Sequence, residues 1–565
     1  MTGPKFSGTG IANNFKIFWT ERSGMKLLQT MLALQEREGW LSDETLKQLA
    51  KETGEPLYRL EGLRSFYPVF QEKPGAKHVV EVCRDVVCRM QGAPAFRETL
   101  LEELKQDPDV EVREVSCLGR CEQAPVALVD HHHAASNATE VKLALSGQPR
   151  EQKVMRAVDA ATDPYPTADA HYGVFRKLRD GAADAGRDTV IDELKASGLR
   201  GMGGAGFPTG MKWAFTRGAK GGPKQLVCNA DESEPGTFKD RCIMETLPHL
   251  MIEGMIIGGW VIEAERGIVY LRHEYGEAAE ILRHELIRAR ELGVLGPDAF
   301  GPGKPFDMEV FISPGGYILG EETALLEALE DKRGEPRNKP PFPTNVGLNG
   351  LPTLMNNVET FAAVPMILQN GGEWWQNQGV NDCPGLKYMA VSGDVANPGV
   401  YCVPMGTTVA DLIARAGGVA DGGQLLAFSP GGASTRFLPA DRANTPLDFD
   451  AMQKAGSALG SGAFVAVAEG RDLLDLATAQ ARFFRNESCG KCVPCRVGSS
   501  KAVAMLEDAL KGDIEDGLAG LLHELDDTLA QTSICGLGQV ALSPVTGVME
   551  MFPEVAQRLG KKEDA

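Results

Sequence analysis

The chain has 565 residues, 43% of them hydrophobic, with a formal net charge of −19. That length predicts several domains with buried cores, and the acidic balance argues against nucleic acid or an anionic membrane as the main partner. No apolar run reaches the roughly 20 residues that span a bilayer, since the best candidate, Met251 to Leu271, is broken by Glu253, Glu263, Glu265 and Arg266.

The N-terminus is polar and Gly-rich without an apolar signal core, so a cytosolic protein with no membrane insertion is expected. Residues 25–65 read as short helices, and Ser42 can cap the second of them, with Asp43 and Glu44 in its first turn. His78–Cys83 reads as a strand, Ala93–Gln106 as a helix, and Val110–Val115 and Val126–Val129 as further strands. Residues 130–170 suit a linker. The adjacent His131, His132 and His133 within it point in different directions and rarely share one ion. Residues 171–375 alternate strands, helices and Gly-rich turns, residues 385–455 are more β-rich, and the remainder is helical. Leu518, Leu521, Leu522, Leu525 and Leu529 form one apolar helical stripe there.

Eight of the 12 cysteines fall into two groups, and clustered thiols in a cytosolic chain more often bind metal than form disulfides. Cys83-x4-Cys88 and Cys117-x3-Cys121 supply four thiolates from two loops, which suit zinc or a [2Fe–2S] cluster. Cys489-x2-Cys492-x2-Cys495 with the remote Cys535 suits a [4Fe–4S] cluster far better than zinc, and Lys491 and Arg496 would raise its potential. Cys228, Cys242, Cys383 and Cys402 fit no cluster pattern and read as ordinary thiols.

Between the groups, Gly201-Met202-Gly203-Gly204-Ala205-Gly206 is a loop that can offer N–H groups to phosphate or be a tight turn. Its spacing does not fit a Rossmann fingerprint. Lys212 follows on an expected helix. Asn229, Asp231, Glu232 and Glu234 then crowd around turn residues, where carboxylates can accept from ribose hydroxyls. Glu321 and Glu322 sit at a loop-to-helix junction, and Asn356 and Asn357 precede another helix.

Gly39-Trp40-Leu41-Ser42, Phe66-Tyr67, Cys83-x4-Cys88 and Cys117-Leu-Gly-Arg-Cys-Glu-Gln-Ala-Pro125 resemble the thioredoxin-like [2Fe–2S] subunit of respiratory complex I. Gly198-Leu-Arg-Gly-x-Gly-Gly-Ala-Gly-Phe-Pro-Thr-Gly210, Cys228-Asn-Ala-Asp-Glu-Ser-Glu-Pro-Gly236 and Tyr317-x-x-Gly-Glu-Glu-Thr323 resemble its flavoprotein subunit. The resemblance implies helices over 1–72, a thioredoxin-like [2Fe–2S] domain over 73–145 and a linker over 146–170. It further implies an FMN/NAD(H)-binding α/β domain over 171–378, an SLBB-like β-grasp domain over 379–465 and a helical bundle with a [4Fe–4S] cluster over 466–565.

The same resemblance assigns Cys83, Cys88, Cys117 and Cys121 to the [2Fe–2S] cluster and Cys489, Cys492, Cys495 and Cys535 to the [4Fe–4S] cluster. It places Gly201, Gly203, Gly204, Lys212, Asn229, Asp231, Glu232, Tyr317, Gly320, Glu321, Glu322, Asn356 and Asn357 around FMN. Phe207, Phe215, Glu234, Lys339 and Phe342 would meet NADH, with Glu232 and Glu322 reaching it as well and Glu232 and Glu234 positioning the nicotinamide. Met202 stands where the family usually has a basic residue.

No side chain need act as a general base, because the cofactors carry the chemistry. The fused layout with an intact first quartet resembles the diaphorase component of NAD-dependent formate dehydrogenases. It implies a molybdenum or tungsten catalytic subunit with further iron–sulfur clusters as partner. Hydrogenase subunits or a respiratory module are the alternatives, and a non-catalytic scaffold with structural zinc is the alternative of another class.

Overall fold

A computed structural model describes residues 27–150, 154–158, 163–181 and 183–560. Residues 1–26 of the expected helical region, parts of the expected linker and residues 561–565 lie outside the described residues. The chain divides into two compact units, Met1–Gly75 with Asp331–Arg333, and the remainder.

In the first unit, three helices run over Leu27–Glu38, Asp43–Thr53 and Leu57–Phe66. Ser42 caps the second as expected, its hydroxyl accepting from Thr45 N–H, and Gly54 ends it in the left-handed region at φ 74°. The Asp331–Arg333 excursion is tied to these helices, with Leu28 N–H donating to Asp331 at 2.8 Å and Tyr67 Oη–H to Lys332 O at 2.6 Å.

The second unit holds three sheets. The first has strands β1 (His78–Cys83), β2 (Val110–Val115), β3 (Ala127–Val129) and β4 (His133–Ala135) in the order β2-β1-β3-β4. Val80, Val82, Leu100, Ala127 and Val141 form its core against the helices Ala93–Leu104 and Ala138–Leu145. Residues 133–145 are therefore part of this α/β layer, contrary to a linker starting at 130. Ala134 and Ala135 on β4, and Val141 and Ala144 one turn apart on the following helix, are buried there. His131 hydrogen-bonds Glu81 at 2.8 Å, whereas His133 sits on β4, so these two side chains have separate surroundings.

The second sheet is wholly parallel, β7-β6-β5-β8, from β5 (Lys224–Ala230), β6 (Ala264–Leu271), β7 (Met308–Ile312) and β8 (Thr353–Asn357). Its strands have apolar centres, such as Leu226–Cys228 and Ile268–Leu271, because helices cover them, and polar residues fall mainly near their ends. The Pro248–Ile262 helix is buried over nearly its whole length. This is the segment with the strongest apolar character, and no described helix is long and apolar enough to cross a membrane.

The third sheet, β10-β9-β13-β11-β12, comprises β9 (Leu386–Gly393), β10 (Gly399–Pro404), β11 (Leu425–Ser429), β12 (Leu438–Pro439) and β13 (Ala463–Ala468). β13 carries the sheet past 465, so the stretch expected to be helical begins with a strand. Its run Ala-Phe-Val-Ala-Val-Ala is central and buried, paired with β9 and β11. The helices Leu473–Asn486, Ser499–Leu510, Leu518–Thr532 and Ser543–Met551 follow. Leu518, Leu522 and Leu529 of the expected stripe are buried.

Candidate functional site

In a parallel α/β sheet, ligands bind at the carboxyl ends of the strands. β5 ends beside Asn229 and Asp231, β6 at Arg272, β7 at Ser313, and β8 at Asn356 and Asn357. Asn229 lies in register with Asn357. Its amide donates to Gly320 O at 2.8 Å, and Trp213 Nε1 donates to Asn356 Oδ1 at 3.0 Å. Asp231 accepts from the Ser233 and Ser313 hydroxyls at 2.6 and 3.0 Å, and burial pushes its pKa up to about 6.

The glycine loop closes one side of this edge. Gly201 N–H donates to Phe207 O at 2.8 Å, and a Cβ on Gly203 would stand 3.1 Å from the Asn357 Cβ. The loop backbone thus lies close against the strand end, an approach that suits a phosphate-binding loop. Met202 is buried, and its N–H donates to Thr360 at 2.9 Å, so an apolar anchor occupies the position where a base is usual. Lys212 Nζ donates to Met355 O at 3.1 Å, with burial lowering its pKa.

Glu321 caps the Glu322–Leu329 helix, and Lys339 bridges Glu321 and Glu322 at 2.8 and 2.7 Å. Phe207, Phe215 and Phe342 are 45%, 51% and 53% exposed, which leaves their rings free to stack. Glu232 is different. Its carboxylate accepts from Asp240 and Arg241 N–H at 2.7 and 3.0 Å and from Tyr275 Oη–H at 3.0 Å. Burial raises its pKa to about 7. Glu232 therefore fastens the start of the Lys239–Thr246 helix, while Glu234 accepts from Ser434 N–H at 2.8 Å.

The first cysteine quartet gathers at the tip of its sheet. Cys83 ends β1, Cys88 lies in the Val86–Met90 helix, and Cys117 and Cys121 flank the turn after β2, all four buried. Cys117 Sγ stands 3.6 Å from Cys121 Sγ and accepts from Gly119 N–H at 3.4 Å. The neighbouring Cys121 and Cys83 thiols push the Cys117 thiol down, helped by the Arg272 guanidinium. In the second quartet, Cys489, Cys492 and Cys535 are half-buried and Cys495 is buried. The Ser533 hydroxyl, two residues before Cys535, is buried without a hydrogen-bond partner. That donor suits the sulfides of a cluster better than a bare zinc ion. All-sulfur donor sets fit iron–sulfur clusters at both quartets.

Several residues at this site carry no motif in the sequence. Arg272, 2% exposed, donates to Cys117 O at 2.8 Å and to Glu232 O. Arg241 donates to Gly119 O at 3.2 Å and to Glu122 at 2.6 Å. Together they bind the Cys117–Glu122 turn to the acidic segment. An arginine directly after an apolar strand was the available signal for Arg272. Elsewhere, His171 and His249 stack with centroids 3.6 Å apart, and Asp163 lies 3.1 Å from His249. Parallel rings cannot aim two lone pairs at one ion, and Arg288 Nη1 faces His171 Nδ1 at 3.0 Å. Asp163, His171 and His249 present ligand atoms within 4.8 Å of one another, but the stacked rings and the facing guanidinium oppose a cation there.

Comparison with known proteins fits this geometry. Residues 194–366 match the Nuo51 FMN-binding domain, 14–145 the thioredoxin-like [2Fe–2S] ferredoxin, 475–558 the NADH-ubiquinone oxidoreductase-F iron–sulfur binding region and 388–438 the SLBB domain. The F 2 subunit of NADH-quinone oxidoreductase from Rhizobium meliloti (strain 1021) is 42% identical over 381 residues, 67% of this chain and 90% of that one. The chain belongs to the family of NADH-quinone oxidoreductase F subunits. As a member it is an NADH-oxidoreductase-type subunit that binds FMN, NAD(H), a [2Fe–2S] and a [4Fe–4S] cluster.

A further relative is the NADP-reducing hydrogenase subunit HndC of Solidesulfovibrio fructosivorans, 41% identical over 64% of this chain and 74% of that one. A crystal structure of NAD+-reducing [NiFe]-hydrogenase in the H2-reduced state superimposes with a TM-score of 0.85 at 30% identity, covering 95% of this chain and 94% of that one.

Proposed function

We propose that this chain is the NAD-reducing diaphorase component of a cytosolic, formate-oxidising complex, partnered by a molybdenum or tungsten catalytic subunit with further iron–sulfur clusters. The observation that carries the diaphorase reading is the convergence of the glycine loop, Asn229, Asp231, Asn356 and Asn357 on one sheet edge, with the Cys117 turn bound to that edge by Arg272 and Arg241.

In this reading Gly201, Gly203, Gly204, Lys212, Asn229, Asp231, Tyr317, Gly320, Asn356 and Asn357 surround FMN. Phe207, Phe215 and Phe342 stack on the nucleotide. Glu321, Glu322 and Lys339 shape its entrance as one ion-paired unit. Glu234 positions the nicotinamide directly, and Glu232 does so through the helix it fastens. Cys83, Cys88, Cys117 and Cys121 hold the [2Fe–2S] cluster, and Cys489, Cys492, Cys495 and Cys535 the [4Fe–4S] cluster. An FMN held by these residues would supply hydride exchange with nicotinamide and single-electron exchange with the clusters.

The formate partner rests on the fused layout with all four cysteines of the first quartet present. A hydrogenase partner is the second reading, favoured by the structural match over 95% of the chain. Purifying the native complex decides between them. Formate-dependent NAD reduction with molybdenum or tungsten in the complex supports the proposal. Hydrogen-dependent reduction with nickel supports the second reading and rejects the first. In the isolated chain, Cys88→Ala should remove only the [2Fe–2S] signal and Cys492→Ala only the [4Fe–4S] signal in electron paramagnetic resonance; loss of the opposite signal contradicts the ligand assignment.

A further inference from the structure

The Leu473–Asn486 helix ends at Glu487, whose N–H is bonded to Phe483 O and Arg485 O. A carboxylate at a helix C-terminus opposes the helix dipole, so helix stability does not explain it. Its two oxygens explain it better. One accepts from the Ser116 hydroxyl and the other from Tyr317 N–H at 2.8 Å. Ser116 immediately precedes Cys117, and Glu487 stands two residues before Cys489. Tyr317 opens the Tyr-x-x-Gly-Glu-Glu segment, and its ring packs on Phe483 with centroids 4.9 Å apart. One carboxylate thus joins the segments of both cysteine quartets and the nucleotide segment.

We propose that Glu487 is a shared potential-setting residue, whose fixed negative charge lowers the reduction potentials of both iron–sulfur clusters together. The inference rests on the ligand assignment proposed above. At 3.8 Å per residue plus the reach of the side chains, a carboxylate bonded one residue from Cys117 and two residues from Cys489 lies within roughly 15 Å of each cluster. Each cluster gains negative charge on reduction, and a half-buried carboxylate at that range opposes it, with only partial screening by salt. The cations nearby are not shared in the same way. Arg272 bonds Cys117 O in the first quartet's turn, and Arg496 bonds Gly490 O within the second. Glu487 is a charge whose hydrogen bonds and chain position reach the segments of both clusters.

The test is a pair of substitutions in the full chain, purified with iron content measured and read by redox titration of the two electron paramagnetic resonance signals. Glu487→Gln removes the charge but can keep both bonds, because the amide oxygen accepts from Tyr317 N–H and the serine hydroxyl accepts from the amide. Both midpoint potentials should rise. Ser116→Ala keeps the charge and strips one donor that offsets it, so both potentials should fall. Opposite signs at both clusters support the proposal. A shift at one cluster alone, shifts of the same sign, or unchanged potentials overturn it. If Glu487→Gln loses iron, the Ser116→Ala titration decides alone: a fall at both clusters supports the proposal and any other result overturns it. A wild-type chain lacking either signal would instead contradict the ligand assignment, which separates the two failures.

Discussion

At Gly119 the backbone takes φ 66°, and a Cβ would fall 2.3 Å from the Tyr275 hydroxyl. That hydroxyl bonds Glu232, so it has no free direction in which to yield. Gly119→Ala combines left-handed strain of about 1–2 kcal/mol with this clash. It should lower iron by about two atoms per chain, the content of one [2Fe–2S] cluster. Iron analysis and electron paramagnetic resonance check this, with the [4Fe–4S] signal expected to persist; full iron retention would contradict it. A second residue-scale prediction concerns pH. Burial holds His171 down to about 4, with the adjacent His249 and Arg288 adding to the effect. A depressed folded-state pKa means the unfolded chain binds the proton more readily. This contribution to stability is present above the ordinary value of 6.5 and is lost as pH falls toward about 4. His171→Asn should therefore show a shallower fall in Tm across that window than the parent, and an equally steep fall would refute the assignment. The cysteines and the glycine loop were legible in the sequence because metal ligation and close backbone approach restrict residue type sharply. Arg272, Arg241 and Glu487 were not, because a charged residue becomes informative only once its burial and partners are known.

The Val358–Asn370 helix shows how an element can serve two layers at once. Asn357 caps it, and Glu359 in its first turn takes Lys387 at 2.6 Å and Lys239 at 2.9 Å, all three side chains buried. Lys387 belongs to β9 and Lys239 to the helix after the acidic segment, so one carboxylate ties the β-grasp sheet to the nucleotide layer. Burial and the second ammonium bring Lys387 down to about 8 despite its ion pair. Glu359→Gln leaves the buried Lys387 ammonium without its ion-pair partner and Lys239 with Asp240 alone, and should cost about 3–5 kcal/mol, seen as a lower Tm. Adding Lys387→Met should restore part of the loss; no recovery would contradict the shared-carboxylate account. Strands such as His78–Cys83 and Val110–Val115 were legible from their β-branched composition, and the structure reproduces both spans. The pairing of β9 with β13 was not, because it joins segments some 70 residues apart and local pattern carries no record of such a partner.

For the whole molecule, chain order and spatial order differ in an instructive way. The first quartet precedes the nucleotide segments by about 100 residues and the second follows them by more than 100, yet Arg272 and Glu487 bring all three segments together. Cofactor identity was legible because each segment carries its own motif; their convergence required the folded chain. The central claim is that this one polypeptide carries a flavin and two iron–sulfur clusters. Its most direct test is cofactor analysis of the anaerobically purified chain by flavin release and elemental quantification. One FMN and about six iron atoms per chain are expected, with no stoichiometric zinc. Zinc in the cysteine sites without iron or flavin would contradict it.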